Sequence, residues 1–213
     1  MLLRNCKVGV VDLSAKSLKA FSDRMKESCC QQNIIFNQVS CATQLSWIPD
    51  CSSDAVLLMG PLYHLINDEH RAQALVQCQR ILKSGGLLFS VFLSPFPIIA
   101  GSGDLKEGAF VFKNKSLFRH IKTEMTTHTH FKGFDVPQYR CWPGEASNML
   151  ERKHFKTIRV RNLDGIVSLN KQSIFDEGYD EEDFLVNELR KTCESPELLG
   201  YSQQFLIVSQ INV

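Results

Sequence analysis

The 213-residue sequence predicts an α/β fold on a largely parallel sheet, and three observations lead there. Continuous apolar runs recur at 8–11, 55–59 and 87–93, each bounded by an acid, a glycine or a proline. Between the second and third runs lies a helix-patterned segment with a capping residue ahead of it and glycines behind it. The chain, 44% hydrophobic and 22% charged, is long enough to bury one proper core, with little left for a second domain.

Taking the elements in order, "KVGVVDLSAKSLKAF" (7–21) opens with a buried strand of Val8, Val10 and Val11, closed by Asp12. Ser14 can cap the helix that follows, which carries Leu18, Phe21 and Met25 at helical spacing to about Cys30. "NIIFNQV" (33–39) is β-rich and reads as the next strand. "DAVLLMG" (54–60) is a continuous apolar strand, the pattern of a parallel sheet covered on both faces. "NDEHRAQALVQCQRIL" starts a helix at Asn67 or Asp68 and sets Ala72, Leu75, Val76 and Leu82 on one face. "KSGG" stops that helix and "LLFSVFL" (87–93) begins another buried strand, which makes a right-handed crossover unit.

After Pro95 the pattern changes. Residues 95–140, weakly helical around 114–125, read as a cap inserted over the sheet, with Phe110, Phe112, Phe118, Phe131 and Phe134 as cap core. "CWPGEASNMLERKHF" (141–155) restores a helix with Pro143 in its first turn. "KTIRVRNL" (156–163) alternates as a strand, "YDEEDFLVNELRKTC" (179–193) is an amphipathic helix with acids first, and "QQFLIVSQI" (203–211) closes the chain as a strand. The acidic "DEGYDEED" (176–183) reads as a solvated helix start. The whole, 1–213, reads as a single domain with the cap at 95–140 within it.

A net charge of +1 argues against a nucleic-acid surface, which needs a clear basic excess. No apolar run approaches the roughly 20 residues of a membrane span, and "MLLRNCKVG" lacks the apolar stretch of a secretory signal. The eight cysteines are scattered without a C-x-x-C pair, the pattern of reduced thiols in a cytoplasmic protein.

The strongest local signal for chemistry is "DAVLLMGPLYHL" with "RILKSGG". A strand ending in Gly60-Pro61 must turn sharply, at the carboxyl edge of the sheet where open α/β folds bind ligands. Tyr63 and His64 then stand at the rim and are the candidate catalytic residues; a hydrogen-bonded structural histidine is the plainer reading of His64. Lys83, Gly85 and Gly86 lie at the opposite edge and set the helix-to-strand connection. Asp12, an acid at the end of a strand, is either a ribose ligand or a helix-leading acid. His128 and His130 with Cys141 match no common zinc spacing, so no metal is expected.

"VDLSAKSL", "DAVLLMGPLYHL" and "RILKSGG", continued by Tyr139, Pro143 and Glu145 of "YRCWPGE" and by "SPELLGYSQQFLIVS", resemble the class I S-adenosylmethionine-dependent methyltransferases, nearest the small type 11-like enzymes. The resemblance implies a Rossmann-like sheet and S-adenosyl-L-methionine as cofactor. It implies that Asp12 accepts hydrogen bonds from the ribose hydroxyls, which suits a carboxylate with two acceptor oxygens and no donor. Leu13 would pack on the adenine, and Met59, Gly60, Leu62 and Tyr63 would line the methionine and substrate side. Cys41, followed by Ala42, stands where these enzymes often place an acid toward the adenine amino group. A thiol accepts poorly, so Ser40, Thr43 or a backbone group would have to serve.

The family's first strand and glycine-rich loop need roughly 30 residues before Asp12, and only eleven precede it. The expected sheet is therefore N-terminally incomplete: the runs at 8–11 and 55–59 must pair directly or leave backbone groups unpaired, with a tendency to self-associate. The leading functional reading is methyl transfer to a small-molecule acceptor. A truncated, non-catalytic relative is the second reading. An NAD-dependent oxidoreductase is the third, disfavoured because "GPLYHL" and "RILKSGG" have no role there.

Overall fold

The computed structural model describes residues 6–26, 31–95, 126–131, 134–165, 182–199 and 202–211. They fall into two compact units, residues 1–49 and 50–213.

In the first unit, strand β1 (Val8–Asp12) leads into helix α1 (Ala15–Lys26) and then strand β2 (Ile34–Val39), which pairs with β1 in parallel. Ser14 caps α1 as its position predicts: its hydroxyl accepts the Ser17 N–H at 3.1 Å. Leu18 of α1, Leu45 and Ile48 are the buried apolar residues here. Gly9 lies opposite Phe36 in the β1–β2 register, and the Phe36 ring occupies the space a Cβ at Gly9 would need. Phe36 in turn meets Trp47 edge-on, with ring centroids 5.0 Å apart.

In the second unit, strand β3 (Ser53–Leu58) precedes the one-turn helix α2 (Pro61–His64), helix α3 (Asp68–Ile81) and the long strand β4 (Leu82–Leu93). Strands β5 (Thr126–Phe131) and β6 (Phe134–Tyr139) form an antiparallel hairpin. Helix α4 (Pro143–Glu151), strand β7 (Phe155–Asn162), helix α5 (Glu182–Thr192) and strand β8 (Gln204–Ile211) follow. The sheet order is β3-β4-β8-β7, with β3 parallel to β4, and β8 antiparallel to both β4 and β7. The crossover read from the sequence is thus present as β3–α3–β4.

Asn67 is the residue that caps α3, its side-chain oxygen accepting the Glu69 N–H at 2.7 Å and the His70 N–H at 3.4 Å. The core gathers Leu75, Cys78 and Ile81 of α3, Leu88 and Phe92 of β4, Ala146 and Leu150 of α4, Phe155 of β7, and Phe205 and Ile207 of β8. Phe92 and Phe205 are register partners and stack at 5.6 Å.

Several expectations are corrected. The buried face of α3 is Arg71, Ala74, Leu75, Cys78 and Ile81, whereas Val76 is exposed. Helix α3 ends at Ile81 and β4 starts at Leu82, so "KSGG" lies inside a strand; the register with β3 shifts there, and Gly85 takes a φ of 72°. The run 55–59, expected to be covered on both faces, is mixed: Leu58 is buried, Ala55 and Val56 are half-buried, and Leu57 and Met59 are exposed; in the run 8–11 Gly9 is exposed and the three valines are half-buried. Among the described residues β1 pairs with β2 alone and β3 with β4 alone.

The end of the 95–140 stretch is the β5–β6 hairpin. The piece around 114–125, Phe110, Phe112 and Phe118 lie outside the described residues, as does all but the end of "DEGYDEED", where α5 begins at Glu182. His128 and His130 are both on β5, two residues apart. Among the described residues no group of three or more His, Cys, Asp or Glu stands together to hold a metal ion, and no helix is long and apolar enough to cross a membrane. Among the described residues Cys41, Cys51, Cys78, Cys141 and Cys193 are free thiols.

Candidate functional site

Asp12 is the last residue of β1, and parallel pairing carries the chain from there toward the end of β2. The Asp12 carbonyl accepts the Ser40 N–H at 3.1 Å, so the ends of both strands stay side by side. Beyond them the chain turns over Cys41–Gln44, closed by the Gln44 N–H donating to the Cys41 carbonyl at 2.9 Å. Asp12, Leu13, Cys41 and Ala42 are thereby brought to one strand end.

Within this cluster the exposed Asp12 carboxylate accepts the Ser14 N–H through Oδ1 at 2.7 Å. The helix-leading role is therefore real, yet a carboxylate has acceptor capacity beyond one turn bond. Leu13 is 73% exposed, an apolar side chain left bare beside an anion. Cys41 is engaged by Thr43, whose hydroxyl donates to its sulfur at 3.2 Å, and the Ser40 hydroxyl donates to the Gln44 carbonyl at 2.8 Å. Both hydroxyl protons are committed, which turns the hydroxyl oxygens into the acceptors available at this turn.

In the second unit, Met59 and Gly60 follow the end of β3. Gly60 has a φ of 133°, a conformation that an L side chain rarely adopts, which is why glycine stands at this turn. Pro61 then starts α2 with φ already set for a helix. Leu62 points into the core and is fully buried, so of this residue only the backbone can face a ligand. Met59 is 52% exposed. Tyr63 is half-buried, its ring 4.6 Å from that of His64. Burial pushes the Tyr63 hydroxyl up from its ordinary value and pulls the His64 imidazole down, which keeps the phenol protonated and the imidazole neutral at neutral pH.

Two further residues stand beside this segment: Arg71, which carries no sequence motif, and Tyr139, which the sequence marks only through the family resemblance. Arg71 of α3 is 2% exposed. Its Nη1 donates to the carbonyls of Leu65 (2.6 Å) and Ile66 (2.7 Å), its Nη2 pairs with Asp68, and its guanidinium carbon lies 3.6 Å from the ring centroid of Tyr139 on β6. Burial pushes the Tyr139 hydroxyl up to about 12, and does the same to the neighbouring Cys141 thiol. The available signal was a charged residue in the apolar stripe 71–75–78 of an amphipathic helix. At the sheet's opposite edge Lys83 pairs with Asp54 at 2.7 Å, and the ammonium holds that carboxyl below its usual range.

Residues 1–86 match the family model described as a methyltransferase domain. No curated protein matches the chain. Among solved structures, the chain is similar to an S-adenosylmethionine-dependent methyltransferase from Methanosarcina mazei, at 15% identity over 100% of this chain and 85% of that one, with a TM-score of 0.65. It is similar to the 1,6-didemethyltoxoflavin-N1-methyltransferase of Burkholderia thailandensis, bound to 1,6-didemethyltoxoflavin and S-adenosylhomocysteine, at 10% identity over 97% and 62% of the chains, with a TM-score of 0.53. A third similar structure is the [4+2]-cyclase SpnF, at 13% identity over 98% and 67%, with a TM-score of 0.54. In fold the chain is similar to these structures, and its first 86 residues match the methyltransferase-domain model.

Proposed function

We propose that the chain binds S-adenosyl-L-methionine and transfers its methyl group to a small-molecule acceptor. The observation that carries this reading is the pairing of an exposed carboxylate, Asp12, with a bare apolar neighbour, Leu13, at the end of a parallel strand. That chemistry fits a ribose and an adenine side by side: two oxygens accept from two vicinal hydroxyls, and an isobutyl group covers a flat heterocycle. Ser40 and Thr43, with Cys41 and Ala42 in the same turn, take the edge of the adenine through hydroxyl oxygens. Met59, the backbone of Gly60 and Leu62, and Tyr63 serve the methionine portion.

When bound, the cofactor supplies an electrophilic methyl on a sulfonium; the acceptor's lone pair takes the methyl and the sulfur keeps the electron pair of the broken bond. The chain's own part is positioning, which by itself accounts for large rate factors when reactants are aligned. His64, neutral because burial disfavours its cation, can take the acceptor's proton, and Tyr63 can hold the acceptor by its hydroxyl. A small molecule is the acceptor class supported by a net charge of +1, which offers no field for nucleic acid. The free thiols of Cys41, Cys51, Cys78, Cys141 and Cys193 support a cytoplasmic setting.

Calorimetric titration with S-adenosylhomocysteine, with Asp12→Ala as control, tests the reading. Micromolar binding that the substitution abolishes is the expected result. No heat at millimolar ligand from a folded chain overturns it. Binding without transfer to any small-molecule nucleophile would favour chemistry of another kind on this fold, as the cyclase neighbour's name illustrates for that protein.

A further inference from the structure

We propose that Arg71 is a positioning residue: it locks the Pro61–Ile66 segment, and with it Tyr63 and His64, onto Tyr139 at the end of the β5–β6 hairpin. This rests on the reading of the Gly60–His64 segment as part of the methyl-donor site.

The need for such a lock follows from local structure. Helix α2 is a single turn of four residues, far too short to be stable by itself. The bonds that tie its ends are the Tyr63 N–H donating to the Gly60 carbonyl and the Leu65 N–H donating to the Pro61 carbonyl. The carbonyls that follow it, of Leu65 and Ile66, need outside donors. One nitrogen of Arg71 supplies both, from the first turn of α3.

Stability alone is a poor reason for an arginine at this position. The residue sits on the apolar stripe of α3, where leucine or methionine would avoid the cost of burying a cation. That cost is visible: burial draws the guanidinium below its ordinary pKa, and its Nε has no hydrogen-bond partner. Asp68, its counter-charge, is almost fully exposed and so compensates weakly. The arrangement uses what arginine has and lysine lacks, a planar fork that can hold two carbonyls while stacking on an aromatic face.

The other end of the lock is fixed independently. Cys141 donates its N–H to the Leu93 carbonyl at 3.0 Å, and the buried Arg140 donates from Nη1 to the Ser94 carbonyl at 2.9 Å. Tyr139 is therefore anchored to the end of β4, and the stacking of Arg71 on it joins three elements: the turn after β3, the start of α3 and the hairpin. The hairpin belongs to the stretch in which the acceptor would be held, so movement there is transmitted to Tyr63 and His64.

The test is the nuclear magnetic resonance of the histidine Cε1–H groups in the full chain, with the His64 signal identified by its loss in His64→Gln. The Tyr63 ring gives His64 a ring-current shift that depends on the α2 turn staying formed. Arg71→Lys and Tyr139→Leu should move that signal toward the position of an unstructured histidine, whereas Tyr139→Phe, which keeps the stacking face, should leave it in place. Both disruptive variants should also weaken S-adenosylhomocysteine binding roughly tenfold, the equivalent of one charged hydrogen bond. A folded Tyr139→Leu or Arg71→Lys protein with the His64 signal unmoved overturns the proposal. If Arg71→Lys does not fold, Tyr139→Leu, which keeps the arginine and removes the ring that holds it in place, still decides it. If the unsubstituted chain binds no S-adenosylhomocysteine, the methyltransferase reading fails while the His64 signal still reports on the lock.

Discussion

Oδ1 of Asp12 accepts the backbone N–H of Ser14 at 2.7 Å, so one carboxylate both shapes the entry to α1 and stands exposed beside Leu13. The two roles separate by substitution. Asp12→Asn keeps a side-chain oxygen for the turn but loses the charge and one acceptor. Its stability should stay within about 0.5 kcal/mol of the parent, while S-adenosylhomocysteine binding weakens by roughly tenfold or more, as for a lost charge-assisted hydrogen bond. Asp12→Ala should lose affinity and, in addition, about 1 kcal/mol of stability with the turn. Calorimetric titration beside urea unfolding distinguishes these outcomes.

Gly60→Ala should be destabilising by about 1–3 kcal/mol, the usual cost of a non-glycine residue in a sparsely populated backbone region. A Cβ at Gly60 would sit 3.7 Å from the Tyr63 hydroxyl, an ordinary contact, so the cost is one of backbone conformation and not of space. Urea unfolding measures it; a loss below a few tenths of a kcal/mol would mean that the turn relaxes freely.

Phe205→Ala removes one side of the stacked pair with Phe92 in the centre of the four-stranded sheet. Both rings are almost fully buried, so a loss of about 3–5 kcal/mol is expected. For a domain of ordinary marginal stability that approaches complete unfolding. Circular dichroism against urea should show the midpoint falling by on the order of 2 M, at typical denaturant dependence.

Stability should fall on acidification through His64. Burial lowers its folded pKa below the ordinary 6.5, so below about that pH the unfolded chain binds the proton more readily. The contribution is fully present above pH 6.5 and is lost as pH drops toward and through the folded value. The imidazole is more than a third exposed, so the effect is small. Replacing His64 with Gln should flatten the fall of Tm below pH 6.5, measured by thermal scans at matched ionic strength.

Elements with a strong local signature were legible in the sequence. Ser14 and Asn67 announce their helices through capping chemistry, and Pro143 marks the first turn of α4. The apolar runs give β3, β4 and β8 within a few residues. The β5–β6 hairpin was not legible: "TTHTHF" and "FDVPQY" lack an apolar alternation, and Pro137 falls inside the second strand. Helix α3 misled about its own face because Arg71 belongs to the buried stripe, and a cation there looks like a solvent position until the carbonyls of Leu65 and Ile66 are seen around it. The contact of Arg71 with Tyr139 joins positions far apart in the chain, and no local pattern encodes it. At the candidate site the sequence proposes Asp12 with Leu13, Met59 to His64, and Ser40 or Thr43 beside Cys41; what no local pattern encodes is the direction of the Ser40 and Thr43 hydroxyl bonds.

The edge-on contact of Phe36 with Trp47 has a practical consequence for watching this protein unfold. The chain has two tryptophans, Trp47 in the first unit and Trp142 in the second. Each is therefore an intrinsic fluorophore for one unit, and Trp142→Phe leaves an emitter that reports on the β1–β2 unit alone. If its emission shifts at a lower denaturant concentration than the far-ultraviolet signal of the whole chain, the two units melt as separate cooperative bodies; coincident transitions would mean that they melt as one.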